Sequence, residues 1–247
     1  MSTRTIRVVP LTTLTRAVAL GSGLVAACVV TACSGVDALS AKARKAADER
    51  SAQARDVARQ SGLGTDVQEL LGRAAGAIGA RFTVTYTSPD GTVVVTQDPP
   101  RLRVEVTQVD GRAETNITNY DGTFRCTRPT GQGWTCRPTQ PDPDRLGGFA
   151  ASAVQRTVSG LAAAKGSYGF RVERRTIAGV AASCLVTERL PAAPPDPSAG
   201  QRGVLCVSAE GVPLAIETDQ TTLAATAFST KVRKDPFTLP APAEARP

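Results

Sequence analysis

From residue 82 onward, apolar and polar side chains alternate with a period of two through most of the chain. In "RFTVTYT" Phe82, Val84 and Tyr86 share one side and threonines the other. In "RLRVEVT" Leu102, Val104 and Val106 lie opposite Arg101, Arg103 and Glu105. Such alternation predicts half-buried strands, and the "SPDG", "DPP", "VDG" and "YDG" stretches between the runs predict the turns of an antiparallel meander. The basic residues on the polar side are expected to belong to a solvated face. The pattern returns in "YGFRVERRTI", "GVAASCLVTERL", "GVLCVSAEG", "VPLAIETDQ" and "TLAATAFSTKVRK".

Two stretches change to a helical period. "TDVQELLGRAAGAIGA" puts Val67, Leu70, Leu71, Ala74, Ala75 and Ile78 on one face behind an N-cap at Thr65 or Asp66, and three glycines weaken it. "DPDRLGGFAASAVQRTVSGLAAAKG" does the same through Leu146, Phe149, Ala153, Val154, Val158 and Leu161. A helix before and a helix between two groups of strands predict an α+β domain, with one large antiparallel sheet and at least two helices on its apolar face. Residues 34–64 are rich in Ala, Lys, Arg, Asp and Ser with almost no large apolar residue. They predict a flexible or helical tether that buries no core.

Before the tether the pattern is different again. Arg4, Arg7 and Arg16 stand without an acid, and from Ala17 to Ala32 there is no charge. The apolar run is short for a membrane span and holds Gly21 and Gly23, so it reads as a secretory signal. "VTAC" at Val30 to Cys33 resembles the bacterial lipobox, in which the cysteine receives a diacylglyceryl group and becomes the first residue after cleavage. "VAAC" ending at Cys28 fits as well. Cleavage there would leave apolar "VVTA" on the product, whereas Cys33 is followed by polar Ser34, Gly35 and Asp37, so Cys33 is the expected lipid-attachment site. The expected divisions are a signal peptide over 1–32, a lipidated cysteine and tether over 33–64, a folded domain over 65–240 and a tail over 241–247.

Removing residues 1–32 from the 247 leaves 215, and the formal charge falls from +7 to +4 as three arginines leave. The remaining Lys and Arg are scattered with few aromatics, which suits a surface near anionic lipid and argues against nucleic acid. Beyond Cys33 four cysteines remain, in what is expected to be an oxidising compartment. Cys126 and Cys136 bracket "TRPTGQGWT" symmetrically about Gly131, as facing residues of a hairpin would, and Cys184 and Cys206 flank "PAAPPDPSAGQRG" in the same way. Two structural disulfides are expected. Neither pair has CxxC spacing and the chain contains no histidine, so no metal site or cofactor is expected.

Without histidine the usual general base and the Ser-His-Asp arrangement are missing, and there is no GxSxG, GxxxxGK[ST] or post-strand GxGxxG motif. Asp142 and Asp144 read as helix-capping residues among prolines, and Asn116 in "NIT" as a strand residue. No enzyme is expected.

The order of elements resembles the LolA-type lipoprotein-carrier superfamily (LppX/LprG-like lipoproteins). The likeness lies in the signal and lipobox, a helix before "FTVTYT", "PPRLRVEV", a helix between strand groups, "CVSAEGVPLAIE" and the closing "DPFTLPAPAE". It spans roughly residues 65–240. It implies an unclosed antiparallel half-barrel whose concave face is covered by helices and holds lipid. The residues expected to line such a cavity are Phe82, Val84, Tyr86, Leu102, Val104, Val106, Phe149, Leu214 and Ile216, all as apolar contacts. Small inward residues leave room for a ligand or pack a thin dry core, and both readings stand. The expected function is a lipid-anchored envelope protein on the outer face of the cytoplasmic membrane that carries or presents an amphiphile. The alternative is a module that senses or regulates another envelope protein.

Overall fold

A computed structural model describes residues 31–140, 166–193, 201–219, 222–233 and 235–244, with 31–37 as backbone only. The predicted helix around Phe149 and Leu161 and the cysteine at 28 lie outside the described residues. Strands β1 (Phe82–Ser88), β2 (Gly91–Asp98), β3 (Arg101–Gln108), β4 (Ala113–Asn119), β5 (Gly122–Arg128) and β6 (Thr135–Thr139) form one meander. A second meander holds β7 (Tyr168–Ile177), β8 (Val180–Arg189), β9 (Arg202–Val207), β10 (Pro213–Thr218) and β11 (Thr222–Ser229). The two join where β1 pairs with β11, giving one antiparallel sheet in the order β6-β5-β4-β3-β2-β1-β11-β10-β9-β8-β7. The sheet is open, with β6 and β7 at its two ends.

The helices are α1 (Thr31–Gln60) and α2 (Thr65–Gly76), the latter continuing into a single 3-10 turn at Ala77–Gly79. The N-cap of α2 is Gly64, not Thr65 or Asp66, and Asp66 instead accepts a hydrogen bond from the Val67 amide at 2.9 Å. Its carboxylate suits the positive end of the helix. The 31–60 stretch is one continuous helix that packs against α2, and Ala47, Ala54 and Ala58 are buried. The expectation that this segment buries no core therefore fails at the alanines. They succeed because α2 is glycine-rich on the facing side. A Cβ at Gly72 would lie 2.6 Å from Arg55 Cγ, and one at Gly79 would lie 2.6 Å from Ala47 Cβ. The glycines that weaken α2 as an isolated helix let the two helices approach closely.

One apolar cluster joins Leu63, Val67, Leu70, Leu71, Ala74 and Ala75 to Leu185 and Val207 of the sheet, with Phe170, Val172 and Leu205 against it. That defines the helix-bearing face of β7–β9. The register carries it onward, since Leu205 faces Ile216, Ile216 faces Leu223 and Ala225 faces Tyr86 across a bulge. Gln97 confirms the face on β2 by donating to the carbonyls of Ala77 and Ala80 at 2.7 and 2.8 Å. A larger cluster includes Phe82, Val84, Tyr86, Val95, Val104, Val186, Val204, Leu214 and Ala225. Strands β8 and β9 are buried on both faces, as the contiguous "CLV" and "LCV" runs require. At Gly211, φ is +82° and a Cβ would meet the Arg73 carbonyl oxygen at 1.9 Å, so the β9–β10 turn sits directly on α2.

The C-terminal segment runs against the sheet as far as Glu244. Cys136 and Ala243 form a parallel bridge, and the Glu244 amide donates to the Cys136 carbonyl at 2.9 Å. Upstream, Arg103 donates to the Pro236 carbonyl at 3.0 Å and Asn119 to the Phe237 carbonyl at 3.3 Å. The Arg101 guanidinium lies 4.5 Å from the centre of the buried Phe237 ring. Arg101 and Arg103, expected on a solvated face, are thus half-buried and fasten this segment. Their long apolar stems make that possible while the guanidinium groups find acceptors.

Candidate functional site

Register places the site. Val104 on β3 faces Asn116 on β4, and Asn116 faces Arg125 on β5. Val106 likewise faces Glu114, and Glu114 faces Thr127. All six share the helix-bearing side of the sheet, so an apolar strip on β3 passes directly into a polar one on β4 and β5. A groove of ≈ 500 Å³ lies there, lined by Val104, Val106, Glu114, Asn116, Arg125 and Thr127, with Arg112 and Arg128 among the residues closing its end.

The polar wall is organised around Glu114. Arg125 Nη2 donates to Glu114 Oε2 at 2.7 Å and the Asn116 amide to Oε1 at 3.3 Å. The hydrogen bond to Glu114 raises the proton affinity of Arg125 above its ordinary value. Arg125 Nε is buried with no hydrogen-bond partner. Arg112 donates through Nε to Asp110 at 2.6 Å, and this contact with the Arg112 backbone amide holds the Asp110 carboxyl below the usual range, the backbone bond being the larger cause. Arg128 stacks over Trp134 at 5.0 Å and is in no ion pair among the described residues.

The expected cavity residues divide. Val104 and Val106 line the groove, Val106 at 37 % exposure. Phe82, Val84, Tyr86 and Leu214 lie in the packed cluster at 2 % exposure or less, and Leu102 is half-buried against it. Tyr86 donates to the Pro213 carbonyl at 2.6 Å, and burial pushes its phenol well above the ordinary value. Ile216 is half-buried on β10, and Phe149 lies outside the described residues. Cys33 falls in the first turn of α1. Both expected disulfides are present, Cys126 to Cys136 and Cys184 to Cys206, each between directly paired residues.

Reading residue types strand by strand misses Glu114 and Arg125, because each looks like an ordinary polar strand residue. The signal that finds them is register. Counting outward from the facing cysteines and the "YDG" turn sets Arg125 beside Asn116 and Val104. Among the described residues there is no cluster of three or more potential metal ligands, and no helix is long and apolar enough to cross a membrane. Neither models of known protein families nor curated protein sequences match the chain.

Proposed function

We propose that this chain is a non-enzymatic envelope lipoprotein, anchored by lipid on Cys33 at the outer face of the cytoplasmic membrane. Its open sheet, a half-barrel of LolA type with helices on the concave side, binds an amphiphile and carries or presents it. The observation that carries this reading is the ≈ 500 Å³ groove with valine on one wall and arginine on the other. A molecule with an apolar tail and a polar head matches both walls, and each buried CH2 contributes about 0.8 kcal/mol.

The position of α1 supports presentation. Ser40, seven residues after Cys33, donates to the Pro99 carbonyl in the β2–β3 turn at 3.2 Å. A lipid on Cys33 sets that end of the sheet near the membrane. The groove starts at Val104, halfway along the eight-residue β3 and roughly 17 Å from Pro99, and runs toward the strand's far end.

A second reading, an interaction or sensor module for another envelope protein, is favoured by the close enclosure of Phe82, Val84, Tyr86 and Leu214. Native mass spectrometry of the full chain purified from the producing membrane separates the two. A stoichiometric amphiphile adduct is expected. A clean apo mass, under conditions that keep lipid on a known carrier, favours the module.

A further inference from the structure

We infer that the arginine-lined end of the groove is a binding site for a phosphate-type anion, which in the amphiphile reading is the headgroup. The inference rests on that reading for its ligand source but on separate observations for its chemistry. Two guanidinium groups, those of Arg112 and Arg125, belong to residues on the groove side of the sheet, and among the described residues the only acidic one lining the groove is Glu114. Each has donors left over. Arg125 spends Nη2 on Glu114 and keeps a buried Nε with no acceptor. A buried N–H without a partner costs about 1–3 kcal/mol, and an anion oxygen supplies the missing acceptor. Arg112 gives Nε to Asp110, which leaves its terminal nitrogens. Arg128, which faces Ala113 and lies over Trp134, shares the reverse face with Cys126, so its guanidinium is not one of these donors.

The choice of anion follows from geometry of the donors. Guanidinium groups bind oxyanions through paired N–H donors, and phosphate presents enough oxygens to meet several at once. Glu114 does not remove the site, since its carboxylate also accepts from Asn116 and so holds Arg125 in place. Val104 and Val106 on the adjacent wall are where the first methylenes below a headgroup would rest.

The test is calorimetric titration of the full chain, in a phosphate-free buffer with non-ionic detergent, using three probes. They are dioctanoyl phosphatidate, dioctanoylglycerol with the same tails and no charge, and inorganic phosphate. Phosphatidate is expected to bind at least about tenfold tighter than dioctanoylglycerol. Arg125→Gln should remove most of that difference while leaving dioctanoylglycerol unchanged. Arg112→Gln, at an exposed position in the β3–β4 turn, repeats the test where the fold is at less risk, and melting curves check both variants. Inorganic phosphate binding as tightly as phosphatidate, and lost in Arg125→Gln, supports the anion site with a free phosphate as its source and counts against the carrier. Equal affinity for the two amphiphiles, unmoved by either substitution, overturns the anion site and leaves the carrier standing. Binding of none of the three probes overturns both.

Discussion

Strands β1–β3 and β4–β6 belong to one meander with one register, yet they bury opposite faces. In β1–β3 the helix-bearing side is Phe82, Val84, Tyr86, Val95 and Val104, all buried, and the other side is largely Thr, Arg and Glu. In β4 and β5 the helix-bearing side is Glu114, Asn116 and Arg125, whereas Ile117, Phe124 and Cys126 are buried on the reverse. Alternation is intact in both; only its phase changes. The reversal is possible because a second cover exists, the C-terminal segment with buried Phe237, held against the sheet by Arg101, Arg103 and Asn119. Freed from closing a core, the helix-bearing side of β4 and β5 is open to carry charge. A binding groove arises where the core changes sides.

An exchange of residue types between the two regions should break the comparison most strongly. Val84→Asn places an amide in an apolar cluster at a position with no exposed surface, and is expected to cost about 4 kcal/mol in denaturant unfolding. Asn116→Val, on the same face one meander half away, should stay within about 0.5 kcal/mol because its side chain borders the groove. Equal losses would show that the faces do not reverse.

Phe237→Ala comes next, with an expected loss of about 3 kcal/mol and faster hydrogen exchange in β4 and β5 but not in β1. Uniform exchange across all six strands would mean that the C-terminal segment is not their cover.

The smallest effect concerns the β3–β4 turn between the regions. Arg112 holds the Asp110 carboxyl below its ordinary value. A depressed folded value gives stability that is present above the unfolded pKa and is lost as pH falls through the folded one. Melting temperature should therefore decline slightly more steeply on the acid side in the native chain than in Asp110→Asn, so that a small advantage of the native chain at neutral pH closes as the carboxyl protonates.

Most of the sheet is legible in the sequence because alternation is a local signal. "FTVTYT" and "RLRVEV" announce strands without reference to any neighbour, and the symmetric cysteines announce their partners. What is not local is harder to read. Alanines of α1 carry too little surface to look like a core until the glycines of α2 are placed opposite them. The arginines at 101 and 103 look solvated until a segment more than a hundred residues later arrives to use them. Of the groove, Val104 and Val106 are visible as inward residues, but the charged wall emerges only when β4 and β5 are set in register with β3.

Native mass spectrometry of the full chain beside Val106→Trp tests the amphiphile groove most directly. Val106 lines the groove and is 37 % exposed, so an indole fills the groove without entering the packed cluster. The account predicts a co-purifying amphiphile on the native chain and its loss from Val106→Trp, with an unchanged melting temperature. An adduct retained in full by Val106→Trp, or absent from both, would contradict it.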